Sequence, residues 1–472
     1  MIVNLLFLKG VTITLSQLTI SKSIMKTKPE IKKQRLRIKL KQKIKRAAKK
    51  KAAYASSSKG LRVIEQIFKT IVHFFPDLFD DMRKIEDYRK KSDYELAELI
   101  MACVAMFIFK EGSRNAFNND RQEGKFKKNY EKIFRLRLPH MDTVDKVMRN
   151  LVENELEELK VKIVRILLEK KVFHKFRFFK KWTIAVDATG VVSFKKRHCE
   201  HCLHKTSKGD KTTYFHNVLE AKLVFTNGFS ISLGTEWIEN PQEYEKQDCE
   251  LKAFKRLAVK LKKWFPRLPI CILADSLYPS QQFFDLCKKN KWNFMGTKKE
   301  GKLPSVWAEA LSLLKISKNN NRTEKLRDSN EFTHRDYVWL NAIDYNGHVV
   351  NWLKCVEKVE KIKSGEVTSC QFVHITDLSV TYSDAAKQSQ TARLRSWIEN
   401  GFNTQKNHGY NLKHKYSCTN QNASKNYYQC LQIGHLINQL VELSSDFKAL
   451  FINSYNDSTP LVEKCYRFYD FC

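Results

Sequence analysis

Residues 182–190 read Trp182-Thr183-Ile184-Ala185-Val186-Asp187-Ala188-Thr189-Gly190. Five apolar or β-branched residues run straight into a carboxylate. A short run of this kind predicts a strand, Trp182 to Asp187, that ends on an acid. Ile270 to Asp275 repeats the pattern, another short apolar run closed by an aspartate. Between the two lie Phe215 to Thr226 and Phe229 to Glu236, both of β type. They are joined by Asn227-Gly228, a dipeptide that supplies the positive φ angles of a tight hairpin. Lys246 to Trp264 is amphipathic at helical spacing. Beyond the second acid, Ser280 to Asn290 predicts a helix and Trp292 to Gly296 a further strand.

The order is therefore strand, hairpin, helix, strand, helix, strand. It fits an α/β layer of the ribonuclease-H-like kind, a mixed sheet flanked by helices. In a twisted sheet the strands ending at Asp187 and Asp275 can be neighbours, so their carboxylates converge.

Working outward, Leu61 to about Phe173 is helical in pattern. Ser92 and Glu95 have the spacing of a capping box, followed by Leu96 to Phe109, apolar on nearly every face and so expected to be buried. Asp142 caps a helix carrying Val144, Val147, Met148 and Leu151 at helical spacing, and Glu155 to Lys171 is a third. On the other side, about Lys302 to Asp384 is again β. Tyr337 to Ile343 and His348 to Val356 flank a second tight turn, Asn346-Gly347, and Gln371 to Thr376 adds a strand. Helix returns at Ser383 to Thr404 and Ser424 to Leu443. The domain plan is a basic arm over 1–60, a helical DNA-binding or supporting domain over 61–175, and a catalytic core over 180–300 and 384–450. An all-β insertion over 301–383 splits that core, and 451–472 is a tail.

The chain of 472 residues carries 85 Lys and Arg against 51 Asp and Glu, a formal +34. A protein this basic repels itself unless it meets a polyanion. The basic residues run through the whole chain and not one amphipathic helix, which points to nucleic acid rather than a membrane surface. Lys26 to Lys51 contains a single acid, Glu30, and reads as a solvated arm that folds on nucleic acid. Twelve cysteines scattered over this length are not a disulfide framework and read as reduced thiols in a cytoplasmic, nucleoid-associated protein. The first twenty residues are apolar only in patches, interrupted by Lys9, Gly10, Ser16 and Gln17. They are too broken for a membrane span and lack a signal-peptide pattern. Met25 is an equally good start.

The chemistry rests on a third acid. Glu399 is expected in a helix after the β insertion, with Arg395 one turn before it and Lys406 two turns after. The face presents cation, carboxylate, cation. Alone, such a pair is a surface salt bridge. Beside Asp187 and Asp275 it suits a site in which three carboxylates hold two Mg²⁺ or Mn²⁺ ions. Two such ions about 3.5–4 Å apart activate an attacking water or 3′-hydroxyl and steady the leaving oxygen.

These residues resemble the DDE transposases of bacterial insertion sequences, in the branch with a Tyr-Arg-Glu-Lys signature around the last acid. Arg395, Glu399 and Lys406 stand at the family's spacing, and Ala392 stands where the family has its Tyr. The strand Ala185 to Gly190 is similar to the family's first-acid block. Ala274 to Ser280 is similar to its second, with Tyr278 in the place of an aromatic three residues after the acid. The family also carries a β insertion before its Glu. The resemblance covers about Trp182 to Leu443. It implies catalytic and metal-binding roles for Asp187, Asp275 and Glu399, and DNA contacts for Arg395, Lys406 and Tyr278. It further implies binding of the element's ends, hydrolysis to free 3′-hydroxyls, transfer into target DNA, and a homodimer on paired ends. A hairpin intermediate is known for this branch. Another ribonuclease-H-fold nuclease, or a silent remnant that only binds DNA, remains as an alternative.

Secondary signals remain. His198, Cys199, His201, Cys202 and His204 crowd the loop after the first strand. They are compatible with a polar loop near DNA or with one Zn²⁺ on Cys199, Cys202 and His204. His216 becomes a fourth ligand if the loop folds back. Asp344 and Asp377 are rival acids, read as structural. Trp307, Trp339 and Trp397 are stacking candidates and equally good core residues.

Overall fold

A computed structural model describes residues 64–444 apart from 153, 197, 298–301, 317–318, 418–419 and 443. The basic arm, the alternative start at Met25 and the 451–472 tail lie outside the described residues.

The strand expected over Trp182 to Asp187 is the first part of a longer one, β1 (Trp182–Phe194). Its alternation decides the layering, because successive side chains of a strand point to opposite faces. Ile184 and Val186 join one core cluster and Ala185 another. Asp187 therefore shares the face of Ala185. β2 (Leu203–Thr206), β3 (Thr212–Val224) and β4 (Ser230–Ile238) follow, then β5 (Ile270–Ala274) and β6 (Asn293–Thr297). β3 is antiparallel to both β1 and β4, while β1, β5 and β6 are mutually parallel. The order across this part is β4-β3-β1-β5-β6, with β2 also pairing β3. The strand that carries Asp187 and the strand that ends before Asp275 are neighbours, as expected, although the first runs on to Phe194.

The β3–β4 turn differs in detail from the expectation. Only Gly228 takes a positive φ, whereas at the later turn both Asn346 and Gly347 do.

The segment expected to form a separate all-β insertion is built differently. β7 (Asn321–Arg327), β8 (Glu331–Tyr345), β9 (His348–Lys361) and β10 (Val367–Thr376) are all antiparallel neighbours. β10 pairs with β6, however, so these strands prolong the same sheet to ten. The segment also carries a helix, Pro304–Ile316, whose Trp307 meets Trp352 of β9 edge to face. The architecture is mixed α/β on one mixed sheet.

Helices cover both faces. The N-terminal ones are α1 (64–74), α2 (Leu78–Arg83), α3 (Leu96–Ile108), α4 (Arg114–Gln122), α5 (Gly124–Phe134), α6 (Met141–Asn150) and α7 (Glu155–Glu169). α3 is buried along its whole length. Its capping box lies three residues later than expected, at Glu95 and Glu98, with Glu95 N–H donating to Glu98 at 2.9 Å. His140 rather than Asp142 caps α6. After β4 comes α8 (Glu250–Trp264), then α9 (Gln281–Asn290), α10 (the 304–316 helix), α11 (Ala385–Arg393), α12 (Ser396–Asn407) and α13 (Gln421–Glu442). α8 packs Leu257 and Leu261 against Gly234 of β4. On the other face, Ile398 and Phe402 of α12 pack with Ala185 and Leu273. Lys160 of α7 and Gln439 of α13 reach β4 by hydrogen bonds to Ser232 and Ser230. α3 and α13 approach closely enough that a Cβ at Gly434 would lie 2.9 Å from Phe107 Cβ. The helical segment and the sheet thus share one continuous core. No helix among the described residues is long and apolar enough to cross a membrane.

Candidate active site

Parity along the strands places the first two acids. Asp187 lies on the Ala185 face of β1. Asp275 follows the last residue of β5 with the parity of Leu273, which belongs to the same cluster. Asp187 sits where β1 has outrun its pairing with β5, which ends at Ala185. Its carboxylate accepts from the Ala188 N–H at 3.0 Å. Asp275 accepts from the Leu277 N–H at 2.8 Å, bending the chain away from the strand end.

Glu399 comes from α12. The single helix expected over Ser383 to Thr404 is broken into α11 and α12, with Arg395 at the N-cap of the second. Arg395 keeps its place one turn before Glu399 and is ion-paired to it. The same guanidinium lies 3.8 Å from Asp187. Arg395 therefore stands between the first and third acids and belongs to both. Lys406, in the last turn of α12, is half-buried beside Phe402, whose ring centroid is 5.9 Å from its Nζ.

A fourth carboxylate joins them that the sequence reading missed. Glu250 is the first residue of α8. Tyr278 Oη donates to it at 2.6 Å, and the Ala188 N–H also serves it. The electrostatics follow from burial. Asp187 is pushed up to about 7, chiefly by loss of water. Arg395 opposes that rise, while Glu250, Glu399 and Asp275 add to it. Glu250 is also raised by burial, against the hydrogen bond from Tyr278, with Asp275 adding repulsion.

Beneath the acids is a buried polar layer. Glu220, opposite Asp187 in register, accepts from Ser232 Oγ at 2.6 Å and Thr235 Oγ1 at 2.5 Å. Lys160 Nζ donates to both of those hydroxyls, at 2.9 and 2.8 Å. Lys222, fully buried, lies with its ammonium 4.3 Å from the Phe402 ring centroid. Burial pulls that ammonium down to about 8 against the attraction of Glu220.

Two expectations are corrected. Tyr278 is fully buried, packed edge-on against Phe254 and Phe283, with its hydroxyl on Glu250. It has no face to offer DNA. His204 is not beside Cys199 and Cys202; its backbone is clamped by Gln247, and the histidine that meets the two thiols is His216. Ala392 is buried in the cluster under α12. Trp339 is core and Trp307 packs on Trp352. Trp397 is half-buried over Gly228. Asp377 accepts from Asn293 and the Phe294 N–H, at 2.7 and 3.0 Å. It thus caps the start of β6, at the opposite end of the parallel strands from Asp275. Asp344 is exposed on β8.

The donor set is all oxygen, with two desolvated carboxylates, Asp187 and Glu250, among the four, which suits a hard divalent cation. The four acids converge without closing into a ligand cluster, and Arg395 holds two of them. Comparison with protein-family models and with curated proteins finds no match for this sequence.

Proposed function

We propose that the chain is a DNA transposase of the DDE type, with Asp187, Asp275 and Glu399 as its catalytic acids. The observation that carries the proposal is their convergence from three separate segments, with Glu399 and Asp275 both acting on Asp187 and Arg395 between the first and third. Sheet order supports it. β4-β3-β1-β5-β6, with the first three antiparallel and β1, β5 and β6 parallel, is the arrangement of a ribonuclease-H-like core. In this reading β7 to β10 and α10 are the insertion between the second and third acids.

Asp187, Asp275 and Glu399 would hold Mg²⁺ or Mn²⁺, with Glu250 beside them. Bound there, the ions would supply activation of the attacking hydroxyl and stabilisation of the leaving oxygen. The chain's own residues do the rest. Asp187 must give up its proton to serve as a ligand, and its raised pKa makes that step pH-dependent near neutrality. Arg395 pairs with Glu399 and lies 3.8 Å from Asp187 in the free protein. When its pair with Glu399 opens, the guanidinium is freed for a phosphate. Lys406, on the same helix, offers a second cation. Tyr278 fixes the Glu250 carboxylate from below by its hydroxyl.

The partners in this reading are the element's ends and a target duplex, bound by a homodimer. A gel-shift and strand-joining experiment with labelled end sequences tests it. The transposase reading expects end-specific binding and, with Mg²⁺, joining of the end to target DNA. Equal affinity for any duplex, with cutting but no joining, favours another nuclease of the same fold. End binding without cutting favours a silent remnant.

A further inference from the structure

Cys199 and Cys202 stand in the connection from β1 to β2, and His216 stands on β3. Cys199 Sγ lies 3.5 Å from Cys202 Sγ, and each sulfur lies 3.2 Å from His216 Nε2. Around one zinc, with Zn–S about 2.3 Å and Zn–N about 2.0 Å, tetrahedral ligand atoms stand about 3.5–3.8 Å apart. The three atoms are already within a few tenths of an ångström of that. Among the described residues this is the one group of three Cys, His, Asp or Glu side chains so drawn together.

The loop that presents the thiols is built and not merely crowded. Cys202 N–H donates to the Cys199 carbonyl at 3.3 Å, closing the Cys-x-x-Cys turn. The buried Asn240, just after β4, donates from its side chain to the Cys202 carbonyl at 3.0 Å and from its backbone to the His201 carbonyl at 3.1 Å. Cys202 and His216 are buried while Cys199 is half-exposed, so the group opens toward solvent on one side. The neighbouring histidines are engaged elsewhere. His201 Nδ1 meets the Asn240 carbonyl at 2.9 Å, and the His198 ring stacks on Tyr214 at 3.6 Å.

We infer that Cys199, Cys202 and His216 bind one Zn²⁺, with the fourth position open to water. Two thiolates and an imidazole are soft and borderline donors that select zinc over Mg²⁺. The role is that of a staple. His216 pairs with Val192, and Glu220 with Asp187, so four residues of β3 separate the metal from the acid, roughly 13 Å at strand spacing. That is too far for the zinc to touch the reacting atoms. It ties the β1–β2 connection, with Lys195, Lys196 and the His198–Tyr214 stack, onto β3, the strand paired with the one that carries Asp187.

The inference stands apart from the transposase reading, because its readout is metal content and not activity. Full-length protein, purified by gel filtration without chelator, is assayed for zinc, and the apoprotein is titrated with Co²⁺. Stoichiometric zinc and a sulfur-to-cobalt charge-transfer band are expected. Both are lost in His216→Gln and in Cys199→Ser, and both are retained in Asp187→Asn. Cys199 is half-exposed, so its variant tests the site without opening the core, and the cobalt spectrum of the wild type needs no variant. Metal-free protein that gives no thiolate band with Co²⁺ would overturn the site. So would a Cys199–Cys202 disulfide in the intact mass, or zinc retained by both ligand variants.

Discussion

Asp187 is the residue at which the proposed metal chemistry and stability oppose each other. Its carboxyl is raised from an ordinary value near 3.8 to about 7. The folded protein therefore holds this proton more tightly than the unfolded chain does. The sign follows: stability from this group is complete below about pH 4, declines as pH rises toward 7, and is gone above it. Asp187→Asn removes the effect. In chelator, the variant should melt above the wild type at pH 8, by on the order of 2–4 kcal/mol, and the gap should close toward pH 4. A variant less stable than wild type at pH 8 would contradict the burial argument. Tyr278 and Glu250 give a second test. Tyr278→Phe removes a buried hydrogen bond, costing about 1–2 kcal/mol. It should lower metal-dependent cleavage while leaving DNA affinity unchanged, as measured by titration of a labelled duplex. Weakened DNA binding would restore Tyr278 to the DNA contacts that the sequence suggested. The misreading has a plain cause. An aromatic three residues after an acid looks the same whether it faces solvent or core, and only Phe254 and Phe283, distant in sequence from the acid's block or hidden in the next helix, decide it. Glu250 was invisible for a related reason. It is an ordinary first-turn acid of a helix, and its role comes from where the sheet sets that helix down.

At the scale of elements, both apolar runs that lead into a carboxylate were legible as strands, because they are local signals, although the first continues past Asp187 to Phe194. So were the hairpins at Asn227-Gly228 and Asn346-Gly347, the buried α3 and the amphipathic α8. What the sequence hid were pairings. That β10 joins β6, turning the expected insertion into an extension of one sheet, has no local signature. The break between α11 and α12 falls at Leu394 and Arg395, both good helix formers, so propensity gives no warning of it. The buried layer under the site is likewise a tertiary product. Lys160 is wholly enclosed with hydroxyls that serve Glu220, and lies 3.8 Å from Glu157. Removing it leaves the buried Glu220 and its two hydroxyl partners without this ammonium, while Glu157 keeps Lys260 at 3.5 Å. Lys160→Met should cost about 3–5 kcal/mol, read from the urea midpoint. The α3–α13 crossing makes a similar demand. A Cβ at Gly434 meets Phe107 at 2.9 Å and the Val104 carbonyl at 3.2 Å, so Gly434→Val should cost about 1–3 kcal/mol by overpacking. Neutral outcomes would mean that the helices can separate there without loss.

For the whole molecule, charge is the governing quantity. A formal +34 is tolerable when phosphates neutralise it, and each phosphate contact releases counterions. DNA affinity should therefore fall steeply with salt, with a log–log slope of about −0.9 per contact. Fluorescence anisotropy from low to physiological salt measures that slope, and a flat response is incompatible with an electrostatic interface. Replacing Arg395 or Lys406 by Gln should flatten the slope by about one contact each. The proposed chemistry, though, lies in the carboxylates and not in the charge around them. The most direct measurement is cleavage of a labelled duplex bearing the element's end, with Mg²⁺ or Mn²⁺, by the wild type and by Glu399→Gln. Metal-dependent cuts at the end are expected for the wild type, with a loss of at least about 100-fold in the variant and DNA binding preserved. Cutting that survives the substitution would remove Glu399 from the site and contradict the three-acid reading.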